Sequence, residues 1–202
     1  MAFNKAISEK FNELGGKILY EDSYQPDNEN YEVILNKIQA DKNIDVIFIM
    51  CFGPESANFV KRAKEKGINQ QIMTYEAFHA PQVLDIAKNA ANGVIFVSPS
   101  FDADSDDPRT TSLKKVLFEE YNGQREYNYF IAAHYDATAL LLKAISEGNR
   151  TSQQIKAYFD TMSPFDGITG SIAFTEKGSA IVPLVVYEVR DGKFVIIKNE
   201  VL

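Results

Sequence analysis

The stretch that most constrains this chain is Asp45–Ser56, Asp-Val-Ile-Phe-Ile-Met-Cys-Phe-Gly-Pro-Glu-Ser. Val46 to Met50 is a continuous apolar run rich in β-branched residues, the pattern of a strand covered on both faces in a parallel α/β sheet. Gly53 then frees the backbone for a sharp turn. Pro54 fits the first position of a helix, where its missing N–H costs nothing. The helix runs through Ala57, Phe59, Val60 and Ala63 to a stop at Gly67, and a short strand, Gln71-Ile72-Met73, follows. This strand–helix–strand unit has two turns, after Met50 and after Met73, that open at the same sheet edge. Ligands of open parallel sheets bind outside the carboxyl ends of the strands. Phe52 and Glu76 stand just past those ends, so the spacing predicts that they line one site.

The rest of the chain extends the same pattern in both directions. Phe3, Ile7, Phe11 and Leu14 recur at helical spacing, and Gly15-Gly16 ends that helix. Lys17-Ile18-Leu19-Tyr20 reads as a strand and 21–30, with Pro26, as a polar loop. Tyr31, Ile34, Leu35 and Ile38 give a second amphipathic helix. A helix from Pro81 to about Asn89 and a strand over Gly93–Val97 complete the order α-β-α-β-α-β-α-β. That order specifies a parallel, doubly wound sheet with helices on both faces. A helix ahead of any strand is unusual there, and suggests that the chain starts in the middle of a fold unit.

From Ser98 the character changes. Ser-Pro-Ser-Phe-Asp-Ala-Asp-Ser-Asp-Asp-Pro is a polar, acidic connection that marks a departure from the first domain. Helices follow over Thr110–Tyr121, Tyr129–Ser146 and Ser152–Met162, with no strand among them long enough to build a sheet. Phe165–Phe174 reads as a glycine turn and a short strand, and Lys177-Gly178 as a further turn. Pro183–Val189 and Lys193–Ile197, joined by Arg190-Asp191-Gly192, form a hairpin.

Composition narrows the function. At 202 residues the chain can bury a real core as one large domain or two small ones. Its net charge of −7 leaves no basic surplus to neutralise phosphates, which argues against a nucleic-acid partner. The single cysteine, Cys51, permits no internal disulfide and no cysteine-based metal site, and its place at a strand end reads as a small core thiol. No apolar run approaches the ~18 residues of a membrane span. The first ten residues form an amphipathic helix and not a signal peptide with a basic start and apolar middle.

Taken together, several stretches resemble the type I periplasmic solute-binding proteins, and within them the leucine/isoleucine/valine-binding branch that serves ABC transporters. They are Asp45-Val-Ile-Phe-Ile with Gly53-Pro54-Glu55, Ala63-Lys-Glu-Lys-Gly67-Ile68, and Ala87 to Gly93 with Val94-Ile-Phe. Further on come Tyr135-Asp136-Ala137, Phe165-Asp166-Gly167-Ile-Thr-Gly170, Phe174-Thr-Glu-Lys-Gly178, and Val186-Tyr187 with Asp191-Gly192-Lys193-Phe194. They stand in the family's order and cover nearly the whole chain. The resemblance implies two α/β lobes with a cleft between them. Residues 1–98 and 181–202 would form the C-terminal-type lobe, and 99–180 a mainly helical, partial N-terminal-type lobe. It also implies a truncated form, since the match begins one strand into the second lobe. The periplasm, or another extracytoplasmic compartment, is the implied location, and an ABC transporter permease the implied partner.

The same resemblance assigns the site. Glu76 falls where branched-chain binders pair a carboxylate with the ligand's ammonium, which is costly to desolvate alone. Phe52 falls where an aromatic packs on the ligand, and Tyr129 matches a third cleft-lining position. Tyr75, beside Glu76, is a further candidate. Plainer roles compete: a solvated loop acid for Glu76, a cap on the local core for Phe52, helix packing for Tyr129. The carboxylate-binding donors of this family lie in the part of the first lobe not matched here.

Other chemistry is weaker. Asp102, Asp104 and Asp106 alternate as in a calcium loop, but Asp107 stands where glycine is needed and Leu113 where the bidentate glutamate belongs. His79 and His134, the two histidines, lack metal-ligand spacing and read as packing or surface residues. No P-loop, dinucleotide or Gly-x-Ser-x-Gly motif occurs. The expectation is therefore a non-catalytic binder of a small amino acid, with no cofactor. A flavodoxin-like enzyme or regulatory domain using the same strand ends is the alternative, and a non-binding remnant or assembly partner the third possibility. Exposed apolar faces on the helices at 110–121 and 129–146, with Leu113, Val116, Leu117, Leu140, Leu141 and Ile145, predict a homodimer through them.

Overall fold

The computed structural model describes residues 2–24 and 31–199. The chain divides into two compact units: one runs to Phe96 and includes Glu188–Val195, the other holds Val97–Tyr187 and the residues after Val195.

The first unit contains α1 (Ala2–Glu13), α2 (Glu32–Ala40), β1 (Val46–Phe48), α3 (Gly53–Glu65), β2 (Gln71–Thr74) and α4 (Pro81–Ala87). It also holds the start of β3 (Ile95–Pro99). β1, β2 and β3 pair in parallel, with Ile47 beside Ile72 and Met73 beside Ile95. Each crossover is helical, as a parallel sheet requires. The helices bury their apolar stripes: Leu35 and Ile38 from α2, and Ala57, Phe59, Val60 and Ala63 from α3. With Ile72, Phe78, Val83 and Phe96 they form the core of this unit. Each fully buried large side chain contributes about 1.5–3 kcal/mol by leaving water. Gly67, at φ +72°, ends α3 in the left-handed conformation that favours glycine.

The strand expected over Lys17–Tyr20 does not join the sheet. The segment is extended and exposed, and makes no ladder hydrogen bond among the described residues. Side chains hold it elsewhere: the Tyr20 hydroxyl donates to Asp41 at 2.6 Å, and Lys37 bridges Asp22 at 2.9 Å. A run of β-formers specifies an extended backbone but not the neighbour it pairs with. α1 forms as expected, yet Phe11 and Leu14 stay exposed. Residues 25–30 of the expected polar loop, Pro26 among them, lie outside the described residues.

The second unit carries α5 (Pro108–Glu120), α6 (Tyr129–Ser146), α7 (Ser152–Thr161), β4 (Phe165–Gly167), β5 (Gly170–Phe174) and β6 (Ala180–Ile181). The late region read as a turn and one strand is in fact a three-stranded antiparallel sheet, β4-β5-β6. Its strands are two to five residues long, too short to stand out by periodicity. Asp136 of α6 fastens it. This buried carboxylate accepts the Ile168 and Thr169 backbone N–H groups at 2.9 Å each, and the Thr169 hydroxyl at 2.6 Å. Phe159 of α7 stacks on Phe174 at 5.2 Å, and Thr151 with Gln154 makes a capping box at the start of α7. Of the six apolar residues expected to lie open on α5 and α6, Leu140 is buried, whereas Val116 and Leu141 are exposed, joined by Phe118 and Leu142.

β3, β7 (Leu184–Arg190) and β8 (Lys193–Lys198) complete the five-stranded order β1-β2-β3-β7-β8. β7 alternates, with Val185, Tyr187 and Val189 buried, and turns into β8 through Asp191 and Gly192, both at positive φ. This is the hairpin expected from the sequence.

Candidate functional site

The carboxyl ends of β1 and β2 are tied together before any ligand residue is reached. The Ile49 N–H donates to the Met73 carbonyl at 2.9 Å, and the Thr74 hydroxyl to the Ile49 carbonyl at 2.9 Å. Ser56, fully buried on the first turn of α3, closes the next turn by donating to the Cys51 and Phe52 carbonyls, each at 3.0 Å. The Cys51 sulfur lies 3.1 Å from the same hydroxyl, and burial raises the thiol pKa, as suits a packed thiol and not a reactive one.

Gly53 then brings the two turns into contact. A Cβ at this position would lie 2.6 Å from the Ala77 carbonyl oxygen, so only glycine permits the approach. Phe52 directly precedes Gly53, and Glu76 directly precedes Ala77. The two residues expected to be neighbours from their spacing are thus held on adjoining turns. Phe52 caps α3 with extended backbone, and its side chain is 73% exposed. Glu76 opens a short 3-10 turn, Glu76–His79, and is half-buried. Tyr75 is half-buried beside it; burial raises its pKa, and the charges of Glu76, Cys51 and Glu55 add to the rise. Glu55 is a neighbour of this site that spacing alone did not single out. One of its carboxylate oxygens is buried with no hydrogen-bond partner among the described residues.

The base of the 3-10 turn is apolar. Phe78 is fully buried, and His79 packs edge-on against Phe194 at 4.9 Å and at a tilt against Phe96 at 5.4 Å. Burial lowers the His79 pKa to about 4, so the ring is neutral at pH 7. The turn that carries Glu76 is therefore anchored by aromatic packing, the role expected of this histidine.

Tyr129 belongs to the second unit, where it is the first residue of α6. The Asn128 side chain accepts the Ile131 N–H at 3.2 Å and fixes this helix start. Tyr129 is half-buried, 6.3 Å from Phe101, whose ring also meets Tyr127 at 5.2 Å. Phe101 and Tyr127 went unnoticed in the sequence because they stand in separate polar connections, before and after α5, with no periodicity. The aspartates between Ser98 and Pro108 serve the local backbone: Asp102 accepts the Asp104 N–H, and Asp107 caps α5. Among the described residues no group of three or more His, Cys, Asp or Glu side chains is arranged to hold a metal, and no helix is long and apolar enough to cross a membrane.

The resulting site chemistry in the first unit is the half-buried Glu76 carboxylate, with that of Glu55 nearby, among aromatic side chains at the ends of parallel strands. It offers an anion for a ligand ammonium and a flat apolar surface for a side chain. Comparison with known proteins identifies the family. A family model described as periplasmic binding protein matches residues 2–193. A Leu/Ile/Val-binding protein homolog of Brucella abortus is 20% identical over 187 residues, covering 91% of this chain and 48% of its own length. The leucine-, isoleucine-, valine-, threonine- and alanine-binding protein of Pseudomonas aeruginosa is 19% identical, covering 85% and 45%. Among solved structures, the leucine binding protein LivK of Thermotoga maritima superimposes with a TM-score of 0.81 at 25% identity, over 95% of this chain and 54% of its own. The LivJ substrate binding protein of Streptococcus pneumoniae, in complex with isoleucine, gives 0.77 at 21% identity, over 96% and 56%. The chain spans about half the length of these relatives.

Proposed function

The chain belongs to the periplasmic binding protein family, and from that premise we propose that it is a non-catalytic solute-binding component of an ABC transporter that takes a small aliphatic amino acid. One observation carries this: the contact of Gly53 with Ala77, which sets Phe52 and Glu76 on adjoining turns at the carboxyl ends of β1 and β2. Glu76 pairs with the ligand ammonium, and Phe52 and Tyr75 line its side chain. The sequence resemblance adds Tyr129 as a further ligand-lining candidate. Support for the ligand class comes from relatives whose names specify leucine, isoleucine, valine, threonine and alanine. We place the activity outside the cytoplasm with a permease as partner, as the family's periplasmic description suggests. The lobe division of the sequence reading, 1–98 with 181–202 and 99–180 apart, is part of the same proposal. So is a homodimer through α5 and α6, supported by exposed Val116, Phe118, Leu141 and Leu142.

Saturation-transfer NMR on a panel of leucine, isoleucine, valine, aspartate and glucose tests the ligand class. Signal from the aliphatic amino acids and none from glucose is expected. Silence from all the amino acids, or equal signal from glucose, would overturn it.

A further inference from the structure

The chain holds two Asn-Gly pairs, Asn92-Gly93 and Asn122-Gly123. Such a pair is chemically labile because glycine carries no side chain to shield its backbone nitrogen. Once hydroxide has taken its proton, that nitrogen attacks the asparagine carboxamide. A bond forms from nitrogen to Cγ, the Cγ–Nδ2 bond breaks, and ammonia leaves with a proton drawn from water. Water then opens the five-membered ring, at one carbonyl to aspartate and at the other to isoaspartate, whose main chain runs through Cγ. The fold must supply two things: a carboxamide free to swing, and a glycine N–H that leaves its hydrogen bond readily.

Asn92-Gly93 supplies neither. The Asn92 side-chain oxygen accepts the Gly192 N–H at 3.2 Å. The Gly93 N–H donates to the Val189 carbonyl at 2.9 Å, and the Val189 N–H donates to the Val94 carbonyl at 3.0 Å. Val94 and Val189 are buried, so the Gly93 bond opens only when the sheet does.

Asn122-Gly123 stands just past α5, and every residue from Phe118 to Glu126 is exposed. No side-chain hydrogen bond holds the Asn122 carboxamide among the described residues. The Gly123 N–H donates to the Phe118 carbonyl at 3.0 Å, but this bond closes the last turn of a helix end open to water. Such turns fray at little cost. Asn122 at φ +50° and Gly123 at φ +71° are both left-handed, the conformation in which these two residues end helices.

We propose that Asn122 is a site of spontaneous modification selected by the fold: it converts to aspartate and isoaspartate in the folded protein while Asn92 is spared. The product is a charge switch at one helix end. A carboxylate arises where the helix dipole is already negative, close in sequence to Glu119, Glu120 and Glu126. Isoaspartate also lengthens the main chain by one carbon within the left-handed turn. Both changes loosen the last turn of α5.

Peptide mapping by mass spectrometry tests this, on protein held at mildly alkaline pH, folded and in parallel in denaturing urea. In the folded protein Asn122 reacts faster than Asn92 by about tenfold or more, the least that an opening of the sheet adds. In urea the two pairs react at similar rates, because only the fold distinguishes them. Equal rates in the folded protein, no reaction there at either pair, or the same preference persisting in urea would each overturn the proposal. Asn122→Asp adds the charge without the change of main chain. Its Gly123 amide is expected to exchange hydrogen about two- to fivefold faster than the parent's. Exchange equal to the parent's overturns the charge switch.

Discussion

Asp136 and His79 are the buried ionisable residues whose surroundings make the sharpest demands. Asp136 satisfies two backbone N–H groups and a hydroxyl of the β4–β5 turn. Its removal strands those donors away from water, and each unpaired buried group costs about 1–3 kcal/mol. Asp136→Ala is therefore expected to lower the urea-unfolding free energy by roughly 2–4 kcal/mol. Gly167→Ala attacks the same contact from the other side, since a Cβ there would lie 2.5 Å from the carboxylate. A loss under about 0.5 kcal/mol for Asp136→Ala, within the range of ordinary surface substitutions, would show that the clamp does not hold the sheet. His79 predicts a pH dependence. Its folded pKa of about 4 lies below the ordinary 6.5, so the unfolded chain binds the proton more readily. Stability from this residue is complete above about pH 6.5 and falls as the pH drops towards 4, by about 1.4 kcal/mol per pH unit within that window. Between pH 7 and pH 5 the loss is about 2 kcal/mol, and His79→Phe should remove that part of the slope. Equal slopes in urea titrations of the two proteins would place the histidine in water.

Among the elements, α3 and the 3-10 turn at Glu76–His79 meet through the bare backbone of Gly53. Gly53→Ala must push that turn away or unwind the start of α3. A destabilisation of roughly 1–3 kcal/mol is expected, with amide shifts at Tyr75 to Ala77. A variant as stable as the parent with those shifts unmoved would mean that the two turns are not in contact. Element types were readable where the signal was long or tight. The apolar run at Val46, the 18 residues of α6 and the Asp191-Gly192 turn all follow from period and turn chemistry. Lys17–Tyr20 was misread because propensity names a conformation, whereas a strand also needs an edge to pair with. The β4–β6 sheet was read as one short strand because hydrogen bonds to one distant carboxylate organise its turn, and such a bond leaves no periodic mark.

At the scale of the whole molecule, the fold class was legible because alternating strands and helices allow few architectures. The candidate site was legible only in part. Glu76 and Phe52 were reached from the strand-end rule, but Gly53's approach to Ala77 depends on where two loops fold in space. Phe101 and Tyr127 gave no signal, since their cluster with Tyr129 joins residues from separate segments. The most direct measurement is a titration of isotope-labelled protein with leucine, followed at the backbone amides, in the parent and in Glu76→Gln. Saturable shifts clustered at Phe52, Tyr75 and Glu76 in the parent are predicted. In Glu76→Gln the affinity should fall by about tenfold or more, because the charge-assisted bond is worth roughly 1.5–3 kcal/mol. Identical titrations of the two proteins, or shifts that leave Phe52 to Glu76 unmoved, would contradict an amino-acid site at these strand ends.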